Sequence, residues 1–217
     1  MNTGEILMKM KEFQIIILEY LDNDDYHEEK FDNILSMYGD FQQDKQKIKS
    51  IIYLLIEISN NYHRCKDFFI KIYRFFNLLK SQIKQFFSND EIFNFFQSNK
   101  RILLFLIEEK ILIINESIAL KMINQQYSKY FYPELKPYLK YDYKSHINEL
   151  LSDNFEEKRR IGENDNYICK LIRNDSVQDF IAYVNKTNLS LRTKIEATLF
   201  ETNQFLLNNS PSLIEYS

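Results

Sequence analysis

The sequence predicts an all-α fold, a multi-helical array of antiparallel helix pairs with a solenoid-like arrangement. Gly and Pro number three each among 217 residues, too few for the special turn positions that sheets and barrels need. Apolar residues recur at three- and four-residue steps through most of the chain. With 18 Phe, 15 Tyr and 45% hydrophobic residues, the composition is that of a chain with a core, not a disordered one.

The spacing predicts a first helix over 3–21, with Ile6, Met10, Phe13, Ile17 and Tyr20 as one stripe and Thr3 as cap. Acidic residues then open a second helix whose apolar face is Phe31, Ile34, Leu35 and Tyr38, with Gly39 placed to stop it. A third, over 43–59, turns Ile48, Ile51, Ile52, Leu55 and Ile58 inward. The longest run extends from Arg64 to Phe87 and places Phe68, Ile72, Phe75, Leu79, Ile83 and Phe86 at helical spacing. Phe69, Phe76 and Phe87 broaden that face, while Lys66, Lys71, Lys80 and Lys84 are expected nearer solvent. Core packing is preferred over an exposed binding groove for this aromatic stripe.

After "SND" at 88–90 the elements shorten. "EIFNFFQ" and "SNKRILLFLIEEK" read as successive short helices, with Ser98 as a candidate cap. "ILII" at 111–114 is locally strand-like, but its helical neighbours favour a buried turn or helix end. Helical order resumes at Asn115 or Glu116, and Pro133 and Pro137 then restrict the chain to short turns. One or two short helices follow over 144–161 before a break at Gly162. From 164 come two short helices with almost no linker. Ile168, Leu171 and Ile172 form one apolar face, and Val177, Phe180, Ile181 and Val184 the next. A long polar connector leads to "PSLIEYS", giving two domains, 1–163 and 164–217.

The block "RIGENDNYICKLIRNDSVQDFIAYVNKTNLSLRTKIEATLFETNQFLLNNSPSLIEYS" at 160–217 resembles the junction region of a protist family of ankyrin-repeat proteins. In that family a helical N-terminal domain of uncharacterised function precedes an ankyrin array, and residues 1–160 look like that domain. "SPSLIEYS" is similar to the Thr-Pro-Leu-His opening of an ankyrin repeat, with Pro211 matching the helix-starting Pro and Leu213 the packed Leu. Ser210 stands where Thr is usual, Ile214 where the motif has His, and Glu215 and Tyr216 replace small residues. The resemblance implies that the array runs into degenerate ankyrin-type helix pairs, and that the tail is the unfinished start of a further repeat. Leu213 and Ile214 would then await neighbours beyond Ser217, and the number of later repeats is left open.

Twenty-eight basic against 31 acidic residues, a net charge of −3, lacks the concentrated basic surface of a nucleic-acid binder. Cys65 and Cys169 lie too far apart for a disulfide scaffold, which points to a reducing, intracellular and cytoplasmic setting. The N-terminus has no signal-peptide pattern. "RILLFLIEEKILII" at 101–114 is cut by "EEK" short of a membrane span, so no membrane insertion is expected.

No chemistry is legible. His27, His63 and His146 form no short-spaced ligand pair with each other or with Cys, and the acids around His27 lack the alternation of a calcium loop. The neighbouring Arg64 favours a lower thiol pKa for Cys65, but His63 does not share its helix face, which makes the two a poor nucleophile–base pair. Cys169 reads as core. Glu108–Glu109 and Glu156–Glu157 are adjacent rather than convergent, and "EEKRR" at 156–160 reads as a salt-bridged helix surface. No catalytic, cofactor-binding or metal residue is therefore assigned. Two function classes remain: a non-enzymatic protein-interaction or scaffold module, the N-terminal capping domain of an ankyrin-repeat protein, or an enzyme or regulatory domain with a dispersed site. The first implies a protein partner; its identity and the oligomeric state are left open.

Overall fold

A computed structural model describes residues 3–22, 44–61, 68–125, 127–139 and 154–216. Every regular element among them is helical, and the one β-type pairing is an isolated antiparallel bridge between Lys194 and Ser212. Contacts divide the chain into two compact units, residues 1–88 and 89–217. The 163/164 boundary expected from the sequence falls inside the second.

The first unit contains α1 (Thr3–Asp22), α2 (Lys45–Asn61), α3 (Phe68–Leu78) and α4 (Lys80–Phe86). Phe13, Ile17 and Leu21 are buried on α1. Tyr20 is only half-buried and meets Phe75 edge-on, with ring centroids 5.4 Å apart. The Asp44 carboxylate starts α2 by accepting the Gln46 and Lys47 N–H groups at 2.9 and 3.2 Å, donors that a helix start leaves without intrahelical partners. Ile48, Ile51, Ile52, Leu55 and Ile58 all point inward as their spacing requires.

The long aromatic run forms two helices, interrupted at Leu79, where ψ flattens to −1°. The hydrogen-bond ladder crosses the interruption, from Leu79 N to Phe75 O and from Ile83 N to Leu79 O, so the aromatic stripe keeps its register. Phe68, Ile72, Phe75, Phe76, Leu79, Ile83 and Phe87 are buried, and Phe86 is half-buried. Lys71 departs from expectation. It is buried, and its ammonium donates to the Leu21 carbonyl at 2.7 Å, among the last carbonyls of α1. A cation there satisfies a carbonyl without an intrahelical donor and complements the helix dipole. Arg64, Lys66 and the expected helix bearing Phe31, Ile34, Leu35, Tyr38 and Gly39 lie outside the described residues.

The second unit contains α5 (Asn89–Phe96), α6 (Lys100–Glu108), α7 (Glu116–Asn124), α8 (Tyr132–Leu135), a 3₁₀ turn at Lys136–Tyr138, α9 (Phe155–Ile161), α10 (Tyr167–Arg173), α11 (Val177–Thr187), α12 (Gln204–Asn209) and α13 (Leu213–Tyr216). Asn99, not Ser98, caps α6, its side-chain oxygen accepting the Ile102 N–H at 3.0 Å. Asn115 caps α7 in the same way through Ile118. Lys121 of α7 reaches Asp90 of α5 at 2.6 Å and lies over the Phe93 ring.

The strand-like "ILII" is the end of α6. Ile111 N donates to Leu106 O and Lys110 N to Ile107 O, with Lys110 at φ 56°. This is a Schellman closure in which Lys takes the left-handed position usually given to Gly. The turn after α10 repeats the pattern with Asp175 and the turn after α11 with Asn188. A glycine-poor chain thus ends these three helices on Lys, Asp and Asn. Of the one or two short helices expected over 144–161, α9 is one, and residues 144–153 lie outside the described residues.

The C-terminal segment differs from the loop-then-repeat expectation. The 189–203 connector folds inward, burying Ile195, Phe200, Glu201 and Thr202. Ile195 N donates to Pro211 O, and Leu213 N to Thr193 O. Pro211 does not start α13. Ser212 precedes its first residue, and the Glu215 carboxylate accepts both the Ser212 N–H and its hydroxyl at 2.7 Å, the return half of a capping box. Leu213 already has its neighbours: it is buried with Cys169, Ile195 and Tyr216, against which Ile168, Ile172, Leu189 and Leu206 pack. Ile214 remains 63% exposed.

Candidate functional site

Charged side chains converge most closely around Arg159 of α9. "FEEKRRI" gives α9 acids in its first turn and bases in its last, the order the helix dipole favours. Arg159 turns inward, against the sequence expectation of a surface run. It is 2% exposed and grips both Glu134 oxygens, at 2.6 and 2.8 Å, and Glu156 at 2.7 Å. It also donates to Tyr130 O, and the Tyr130 hydroxyl donates back to Arg159 O. Burial alone would lower the guanidinium pKa; the Glu134 hydrogen bonds and charge outweigh it and raise the value. The neighbouring cations are also paired, Lys158 with Asp165 and Arg160 with Glu108. This arrangement locks α9 to α8, leaving the Arg159 charge no outward-facing role.

Beyond α9 the chain turns at Gly162, where φ is +66° and an added Cβ would lie 2.8 Å from Arg101 Cδ and 3.1 Å from Thr202 Oγ1. The Gly162 carbonyl accepts both the Thr202 hydroxyl and N–H. Glu201 next to it is buried, accepting the Asn164 and Asn203 N–H groups at 3.1 and 2.7 Å. Burial raises its carboxyl pKa. The Lys100 ammonium sits 3.3 Å from the Glu201 carbonyl and over the Tyr130 ring. Its pKa is lowered by burial, with the Glu201 charge opposing. These contacts fasten the connector to the turn after α9 and to the first residue of α6.

Cys169 occupies the core expected for it. Burial pushes its thiol pKa up, the reverse of what a thiolate nucleophile needs. Beside it, burial pushes the Tyr216 phenol up to about 12, while Arg173 donates to the phenol oxygen and pairs with Glu163. Glu108 and Glu156 serve ion pairs and do not converge on one point. His27, His63, Cys65 and His146 lie outside the described residues. Among the described residues no group of three His, Cys, Asp or Glu is placed to hold a metal ion, and no helix is long and apolar enough to cross a membrane.

A further surface feature is α11. Its Val177, Phe180, Ile181 and Val184 lie at i, i+3, i+4 and i+7, one apolar stripe of a helix. The stripe is apolar as its spacing predicts, but no residue of α11 is buried. Phe180, Tyr183 and Val184 are half-buried, and Tyr183 meets Tyr167 of α10 edge-on at 5.2 Å. On the opposite flank Val177 is 54% and Ile181 48% exposed. The charged residues of α11, Asp179 and Lys186, cancel. Lone exposed apolar residues are ordinary; these two lie one turn apart on a helix whose other flank is paired.

No family model matches the chain, and comparison with curated proteins and with solved structures found no match.

Proposed function

We propose that the chain is a non-enzymatic protein-interaction or scaffold module whose contact face is the α11 stripe. The single observation behind this reading is that α11 pairs with α10 on one flank while Val177 and Ile181 stay open on the other. A near-neutral, apolar, helix-wide stripe fits another amphipathic helix pair, stacked as α11 stacks on α10, better than a charged polymer. The sequence resemblance at 160–217 supports the same reading. α10–α11 then stands as a degenerate ankyrin-type pair in a solenoid-like array, with the preceding helices capping one end.

The test places a photo-crosslinking residue at the exposed Gln178, beside Val177 and Ile181, in the full chain in cells. Partners recovered with the parent chain and with Ile181→Asp are then compared. Crosslinks to a helical segment, lost with Ile181→Asp while thermal stability is retained, support the proposal. Equal recovery by both chains overturns it.

A further inference from the structure

We draw no further inference here: the strongest candidate, the shallow groove of about 270 Å³ between the turn after α6 and the 3₁₀ turn, lined by Leu112, Ile113, Pro137 and Tyr138, carries nothing because its one carboxylate, Glu134, is already held by Arg159 and nothing in the structure shows what covers its apolar floor.

Discussion

Arg159 holds Glu134 through two parallel N–H to oxygen bonds of 2.6 and 2.8 Å, with the guanidinium almost wholly enclosed. Removing one partner leaves a carboxylate in a poorly hydrated place, and losing half of such a pair costs about 3–5 kcal/mol. Arg159→Ala is therefore expected to lower unfolding free energy by about that amount in urea titration. The double variant Arg159→Met/Glu134→Met recovers most of the loss, because an apolar pair carries no stranded charge. A double variant as unstable as the single one would show that packing, not charge, dominates here.

Much of this fold was legible because helical burial writes a period into the sequence. The stripes Ile48–Ile58 and Phe68–Ile83 are inward in the structure as their spacing demands. Lys71 was misplaced by residue type, although it lies three residues after Phe68 and four before Phe75, inside the buried stripe. Arg159 was misplaced for the same reason, since charge argues for the surface until a distant carboxylate such as Glu134 is known. The tail carried its own signal in Ser212-x-x-Glu215, a capping pattern that the neighbouring Ser-Pro obscured. The stripe of α11 was visible, but periodicity shows that a face is apolar, not that anything covers it. The Gly162–Thr202 and Asn164–Glu201 bonds span about forty residues and leave no local pattern.

Lys110 takes a left-handed conformation at the end of α6, which costs a residue with a Cβ about 1–2 kcal/mol relative to glycine. Part of this is returned through the freer unfolded chain of a glycine variant. Lys110→Gly is expected to stabilise by about 0.5–1 kcal/mol, read from the urea midpoint at unchanged m. Destabilisation would mean that the Lys110 side chain makes a compensating contact.

Gly162 is the opposite case. Its φ is +66°, and a methyl group would press on the Arg101 stem and the Thr202 hydroxyl. Gly162→Ala is expected to cost about 1–3 kcal/mol, from backbone strain and displacement of Thr202. Thr202→Ala, which removes the hydroxyl donor to Gly162 O, costs about 1 kcal/mol. A double-mutant cycle between the two sites should show coupling, and strict additivity would contradict the contact.

Two carboxylates impose opposite pH dependences. Ser212, with Lys194 alongside, holds Glu215 down at about 2 from an ordinary 4.5. A depressed folded-state pKa contributes stability above the unfolded value and loses it as pH falls toward 2. The melting-temperature gap between the parent chain and Glu215→Gln should thus be open at pH 7 and close by about pH 2. Glu201 runs the other way, because burial raises its pKa. Its contribution is fullest below 4.5 and declines as pH rises through the raised value. The parent chain should gain on Glu201→Gln as pH is lowered from neutral, and a gap constant with pH would contradict the buried, raised carboxyl.

The α11 stripe separates binding from folding. Val177 and Ile181 are about half exposed, so Val177→Ser and Ile181→Asp remove little buried area. Each is expected to change unfolding free energy by no more than roughly 0.5 kcal/mol. Cys169→Ser, made inside the cluster that holds α10 against Leu213 and Ile195, is the contrasting control. It replaces a buried thiol that meets the Tyr216 phenol with a smaller, more polar hydroxyl and should cost about 1–3 kcal/mol. If α11 is the contact face, the two surface variants abolish partner crosslinking at unchanged stability, whereas Cys169→Ser keeps crosslinking below its melting temperature. Loss of stability with Ile181→Asp comparable to that with Cys169→Ser would mean that the stripe is part of the chain's own core, and the contact face would have to be sought elsewhere.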